Sequence, residues 1–231
     1  GPAKVTLGGF LATEGVYRSR TEQADIGSSF SGIPFSNAAQ AHPSESRFTA
    51  RQSRLSLLAQ GDANSDTHLA MYGEFDFLGA AQSANSNESN SYNLRVRNLY
   101  GTVDWDSLGL ELLAGQSWSL VTLNTKGITP RNELPPATID AQYAVGFSWA
   151  RQPQIRVVKN WNHQFWLALS VESPQTTFAA NSSAASGISA LTFLPGGPLF
   201  DKNNNYSLNH IPDVIGKMAW EPKIGDKQPL H

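Results

Sequence analysis

The segment Thr67-His-Leu-Ala-Met-Tyr-Gly-Glu-Phe-Asp-Phe77 decides the fold of this chain. Its side chains alternate between two faces. One face is apolar and carries Leu69, Met71, Phe75 and Phe77, and the other carries His68, Ala70, Tyr72, Glu74 and Asp76. A period of two is typical of a β-strand. An apolar face opposite two carboxylates is typical of a wall between lipid and water, although alternation alone also fits a soluble barrel or sandwich.

Strand-like patterns recur along the whole chain, and the connections between them alternate in length. Eight strands are predicted, near 5–18, 46–60, 66–79, 92–105, 108–119, 145–159, 164–177 and 211–223. The connections 19–45, 80–91, 120–144 and 178–210 are long, and the others are tight turns. A transmembrane β-barrel has short turns on one side and long loops on the other. We therefore predict an all-β fold, an antiparallel transmembrane β-barrel, with residues 1–231 forming a single barrel segment.

Composition excludes several classes of protein. A net charge of −2 argues against nucleic-acid binding, and the absence of cysteine excludes disulfides and thiolate metal sites. The 231 residues contain no apolar run of the length that a transmembrane helix needs. The five histidines show no metal-ligand spacing, and no catalytic motif is present. We expect no catalytic residues, no metal and no cofactor, and hence a protein that is not an enzyme.

Two alternatives to a channel stay open at this point. One is a soluble β-barrel or sandwich that binds a ligand between its long loops. The other is an outer-membrane hydrolase, which would need a Ser/His pair, and the strand-borne His68 stands apart from any such partner.

Five short motifs suggest a family. They are Arg51-Gln-Ser-Arg54-Leu55, Glu74-Phe-Asp76-Phe77, Leu94-Arg-Val-Arg97-Asn-Leu-Tyr100-Gly101, Ala114-Gly-Gln116-Ser-Trp118-Ser119 and Arg151-Gln-Pro-Gln-Ile-Arg156. In this order and spacing they resemble the DcaP-like outer-membrane porins, a family of trimeric proteobacterial channels. The resemblance runs from about residue 46 to residue 159, and the last two motifs are its more specific parts.

The resemblance implies a homotrimer in the lipid bilayer of the bacterial outer membrane. Each barrel would have about sixteen strands and would pass small anionic solutes such as dicarboxylates. About eight strands are present here, so we expect these residues to form half of a barrel, as a fragment or a chain completed by another. The alternative is a self-closing barrel of eight strands, whose interior would be packed shut around buried arginines.

Charged residues on one face of the predicted wall are the candidates for solute selection. The pore-lining candidates are Arg54, Glu74, Asp76, Arg95, Arg97 and Arg156. A ladder of guanidinium groups would attract carboxylates, and the two acidic side chains would hold the arginines extended. The alternative is a salt-bridge network that only stiffens the wall. Arg51 and Arg151 have the opposite parity, so either a bulge redirects them or they face a subunit interface.

The connection 120–144 is the candidate for a constriction loop. It follows the fifth predicted strand and contains three prolines, which lower the entropy of ordering it. A loop of this length is usually functional or disordered. Lys126, Arg131 and Glu133 are therefore candidates for narrowing the pore, and the alternative is a solvated external loop.

Overall fold

The computed structural model describes residues 3–22, 33–79, 93–135, 150–174 and 211–222, and these are β-structure joined by turns and loops. The strands are β1 (Lys4–Phe10), β2 (Glu14–Arg18), β3 (Glu45–Thr49), β4 (Arg54–Asp62), β5 (Thr67–Asp76), β6 (Arg95–Trp105), β7 (Leu110–Trp118), β8 (Arg151–Trp161), β9 (Phe165–Glu172) and β10 (Asp213–Trp220). A 3₁₀ turn covers Ala39–Ala41, and the described ranges contain no helix long and apolar enough to cross a membrane. The prediction of an all-β, antiparallel fold is confirmed.

Eight of the strands form one antiparallel sheet, in the order β1-β4-β5-β6-β7-β8-β9-β10. Tight turns at 63–66, 106–109 and 162–164 join strands at one end, which we call the short-turn end. The longer connections leave from the opposite, long-loop end. Among the described strands, β1 and β10 each pair on one side only. These residues therefore form an open sheet, and no closed barrel is seen among them.

The prediction that residues 5–18 and 46–60 each form one continuous strand is wrong. The first is divided into β1 and β2, and the second into β3 and β4, with β2 and β3 forming a separate ribbon. Phe10 pairs with Arg54, whereas Glu14 pairs with Thr49, so three residues on one side face four on the other. Because the two sides differ in length, the pairing cannot continue through this point. The predicted residues 92, 145–149, 175–177 and 223 lie outside the described ranges.

The sheet has two faces of opposite character, which we call outer and inner. The outer face exposes apolar side chains, among them Leu55, Met71, Val96, Ile155, Leu169 and Met218. The inner face carries buried polar and charged side chains, among them Asp76, Arg97, Thr102, Arg156, Ser170 and Glu172. This is the reverse of a soluble antiparallel sheet, whose buried face is apolar and whose exposed face is polar.

A β-bulge in β6 changes the alternation at the long-loop end of the inner face. Glu74 pairs with Asn98 and Phe75 pairs with Val96, so Arg97 is the extra residue. Arg97 and Asn98 are consequently both buried, at 6% and 4% exposure. A regular strand would have turned one of them outward. The bulge therefore places an additional polar side chain on the inner face.

The loop after β7 folds against the inner face. Leu120 and Ile128 from this loop form a buried apolar cluster with Val158 of β8 and with Trp166 and Ala168 of β9. The cluster contains no large charged group, and burial of its side chains supplies the attraction that holds the loop on the sheet. The described part of the predicted constriction loop thus lies against the inner face of the sheet, and residues 136–144 lie outside the described ranges.

Candidate functional site

Five of the six pore-lining candidates meet in one cluster at the long-loop end, the arginine–carboxylate network of Arg54, Glu74, Asp76, Arg95 and Arg97. Arg95 binds Asp76 through two parallel hydrogen bonds of 2.9 and 2.6 Å. Arg97 donates to the Glu74 carboxylate at 2.6 Å and to that of Asp76 at 2.9 Å. Arg54 lies 3.9 Å from Glu74. The strands β4, β5 and β6 are neighbours, which is why these side chains converge.

The side chains of the network differ in their exposure to solvent, and this difference determines which charges can interact with a solute. Asp76 is 1% exposed, whereas the Arg95 side chain is 35% exposed. Three arginines against two carboxylates leave a net charge of +1. Arg54 and Arg95 are the members with the most exposed side chains, at 30% and 35%. The network therefore both fills the wall and presents positive charge to the space beside it.

Arg156 lies on the same inner face but apart from this network. It pairs in register with Leu113, whose own partner on β6 is Thr102, five residues from Arg97. One strand also separates the two arginines, a distance of about 10 Å across the sheet. Arg156 instead donates to Gln154 at 3.0 Å and to the carbonyl of Trp118 at 2.6 Å. Its role is local to the base of the inward loop.

Arg51 and Arg151, which do not fit the alternation of the other arginines, occupy two different environments. Arg51 lies in the irregular segment between β3 and β4, and its guanidinium donates to Thr49 at 2.8 Å. Arg151 begins β8, and its guanidinium lies 4.9 Å from the centre of the Trp118 ring. Arg151 also interacts electrostatically with Arg95 and Arg97, so it adds positive charge near the network.

The inward loop is anchored by polar contacts that the sequence did not reveal. Lys217 of β10 donates to the carbonyl of Thr122 and to the side chain of Asn124, both at 2.6 Å. The Glu172 carboxylate accepts the backbone N–H of Leu120 at 2.8 Å. The backbone N–H of Gly127 donates to Glu221. Alternation placed Glu172 on the inner face, but nothing in the sequence links these residues to a loop some 50 to 95 positions away.

The three loop candidates line two cavities between the loop and the sheet. The larger, about 430 Å³, lies toward the short-turn end and is lined by Lys126 and Arg131 together with Asp62, Asp104 and Glu111. The smaller, about 180 Å³, lies toward the long-loop end and contains Glu133. Arg131 lines both cavities, and its guanidinium lies 5.9 Å from the centre of the Tyr72 ring. The loop therefore divides the space along the inner face.

An ion cluster outside the main sheet lies on the β2–β3 ribbon. Glu45 accepts from Arg18 at 2.9 Å and from Arg47 at 3.1 Å. Desolvation raises the pKa of Glu45, but the hydrogen bonds from the two arginines outweigh it and lower the pKa to about 2. Glu45 therefore stays ionised above that pH, and the contribution of these contacts to stability is lost only as the pH falls through its range between 4.5 and about 2.

A bulky group at Gly127 should release the loop from the sheet. Gly127 has φ of +51°, and an added Cβ would lie 2.5 Å from the Trp166 ring. We expect Gly127→Ala to cost about 1–3 kcal/mol through overpacking, and to speed tryptic cleavage after Lys126 and Arg131 in the folded protein. The control is Gly101→Ala, whose added Cβ would meet only the Ala70 carbonyl, at 3.6 Å. Equal cleavage of both variants and the parent chain would contradict the packing described here.

Together these features define the class of fold: an antiparallel sheet with an apolar outer face, a charged inner face and a loop folded against the inner side, as in the wall of a porin. A comparison with solved structures finds the same class. The crystal structure of the outer membrane channel DcaP of Acinetobacter baumannii is similar to this chain, with a TM-score of 0.56 at 23% sequence identity. The similarity covers 78% of this chain and 44% of that one, so the chain spans less than half the length of the channel. No protein-family model and no curated protein matches the sequence.

Proposed function

We propose that this chain forms part of an outer-membrane channel for the passive diffusion of small anionic solutes, of which dicarboxylates are the simplest. The observation that carries the proposal is the inverted arrangement of the sheet. Leucine, valine, isoleucine and methionine side chains cover its outer face, while ion pairs and hydrogen-bonded carboxylates lie on its inner face. A hydrocarbon environment outside and a water-filled lumen inside stabilise this arrangement. The fold shared with a channel agrees with it.

Aromatic residues at the short-turn end support a membrane setting. Trp161 and Trp220 are exposed, and both belong to the outward-facing side of their strands next to Phe165. Trp161 and Phe165 pack at 5.4 Å between ring centres. Rings of this kind prefer the interface between headgroups and hydrocarbon. Their position marks one boundary of the proposed membrane-embedded band.

The preference for anions rests on the positive surplus at the long-loop end. The arginine–carboxylate network has a net charge of +1, and Arg151 lies beside it. Arginine is weakly hydrated and binds carboxylates with two parallel hydrogen bonds, so it can attract an anion at a small cost in desolvation. A dicarboxylate approaching from this end would meet Arg95 and Arg54 first, because these two are the exposed members.

The proposal is tested with the native protein extracted from membranes. We expect extraction only with detergent, a band whose mobility on a denaturing gel changes on heating, and current steps in planar bilayers. We also propose a homotrimer, which light scattering in detergent measures. A protein that stays monodisperse in buffer without detergent and produces no current steps would end the channel proposal and favour a soluble ligand-binding protein.

Arginine on the outer face should destabilise the protein in a depth-dependent manner. Leu169 is 55% exposed and lies midway along β9. We expect Leu169→Arg to lower the free energy of unfolding in lipid vesicles by about 2–4 kcal/mol. Leu108, which is 54% exposed but lies in a short turn, is the matched control. Leu108→Arg should cost less than about 1 kcal/mol. Equal losses, measured by denaturant titration, would contradict the assignment of the outer face.

A further inference from the structure

The smaller cavity beside the arginine–carboxylate network is lined by carboxylates as well as by cations, and a simple anion would pair only with the cations. Its walls are formed by Arg54, Tyr72, Glu74, Asn98, Tyr100, Trp118, Arg131, Glu133 and Pro135. It thus combines two cations, two carboxylates, an amide and three aromatic rings. The volume of about 180 Å³ equals that of about six water molecules at about 30 Å³ each, so the cavity suits a small solute.

Unsatisfied polar atoms at this cavity show what kind of solute it would bind. Asn98 is 4% exposed, and its Oδ1 atom has no hydrogen-bond partner. The Oε1 atom of Glu133 is likewise buried without a partner, as is the Nε atom of Arg54. A buried polar group without a partner is costly and rare in folded proteins. One donor and two acceptors without a partner thus belong to side chains that line this cavity.

A solute that pairs with both the donor and the acceptors must carry an acceptor group and a donor group on one molecule. The unused donor on Arg54, with Arg131 on the same cavity, complements a carboxylate. The unused acceptors on Asn98 and Glu133 complement an N–H donor, which a plain dicarboxylate lacks. Both requirements are met by an acidic amino acid, which carries an ammonium group and still has a net negative charge.

We propose that this cavity is a binding subsite for acidic amino acids, with a solute carboxylate at Arg54 and its ammonium group at Asn98 and Glu133. Asn98 lies next to the bulge in β6, where Arg97 is the additional inward residue. The inward loop closes it by supplying Arg131 and Glu133. This inference rests on the proposed channel function and narrows its substrate class.

The test compares two solutes that differ only in the ammonium group, glutamate and glutarate. Isothermal titration of the full chain in detergent should show glutamate binding at least tenfold more tightly. Asn98→Leu keeps the number and branching of the side-chain heavy atoms and removes the first acceptor. Glu133→Leu removes the second acceptor, which the inward loop supplies. Each should reduce the preference for glutamate to less than about threefold. Thr102→Val, an inward-facing change on the same strand that does not line this cavity, should leave it intact.

The outcomes separate the subsite from the channel. Equal affinity of the parent chain for both solutes, or a glutamate preference that survives both acceptor substitutions, would overturn the subsite. Swelling of proteoliposomes in isosmotic glutarate and glutamate reports on the channel independently. Swelling without a binding preference leaves the channel and removes the subsite, whereas absence of swelling in both solutes removes the channel proposal itself.

Discussion

Replacing Asp76 with asparagine should lower the free energy of unfolding by about 3 kcal/mol, the lower part of the range for breaking a buried ion pair. Asp76 is 1% exposed and accepts three charge-assisted hydrogen bonds, two from Arg95 and one from Arg97. Asparagine has nearly the same shape but no charge, so both guanidinium groups lose a charged partner. The lower part of the range applies because Arg97 keeps Glu74 and Arg95 reaches water.

The measurement is a denaturant titration in lipid vesicles or detergent, read as a shift in midpoint with an unchanged slope. The matched control is Asp106→Asn, which also removes one carboxylate charge. Asp106 bonds His68 at 3.0 Å in a short turn, with 71% of its side chain exposed. An exposed pair of this kind contributes less than about 1 kcal/mol. A loss for Asp76→Asn no larger than that of Asp106→Asn would show that the network does not stabilise the wall.

The alternation of side chains was sufficient to predict the two faces of the sheet. In β5, Leu69 and Met71 are outward and exposed while Asp76 is buried, and in β9 Leu169 is outward while Ser170 and Glu172 are buried. Prediction succeeds here because the period of a strand is two by geometry, whatever surrounds it. The same rule needs no knowledge of which strands are neighbours.

Features that depend on register could not be predicted in this way. The bulge at Arg97 and Asn98 follows from how β6 pairs with β5, and a period-two pattern cannot reveal an inserted residue. Arg156 faces the same side of the sheet as the network. It lies apart from Arg97 because the strand pairing places it level with Thr102, five residues along β6. The anchors of the inward loop are of the same kind, because the contact between Lys217 and Thr122 joins elements far apart in sequence.

The sequence left two interpretations of the arginines open, a ladder that attracts anions and a salt-bridge network that only stiffens the wall. The observed arrangement combines features of both. A purely structural network would bury all its charges, and a bare ladder would leave the guanidinium groups unpaired. In the structure Arg97 is buried between Glu74 and Asp76, whereas Arg95 is bonded to Asp76 and still reaches solvent. The buried arginine and carboxylates hold the bulge, and the exposed side chains supply the surplus of positive charge on which anion selectivity would depend.

Changing the sign of the network should change the sign of ion selectivity. Arg95→Gln with Arg97→Gln takes the net charge of the network from +1 to −1, and Glu74→Gln with Asp76→Asn takes it to +3. Two unit charges about 8 Å from an ion in water contribute about 1 kcal/mol, with opposite signs for an anion and a cation, so the ratio of their permeabilities changes roughly thirtyfold. We therefore expect the first double variant to favour cations and the second to favour anions more strongly than the parent chain does.

Reversal potentials in a salt gradient across planar bilayers measure both shifts, and only folded, inserted protein contributes to them. Lys159→Gln is the control, because Lys159 belongs to the outward-facing side of β8 near the short-turn end. It should leave the reversal potential unchanged. The two opposite shifts should shrink in 1 M salt, where the screening length falls to about 3 Å. If both double variants keep the parent's reversal potential at low salt, the network is structural only, and anion selectivity must arise elsewhere in the pore.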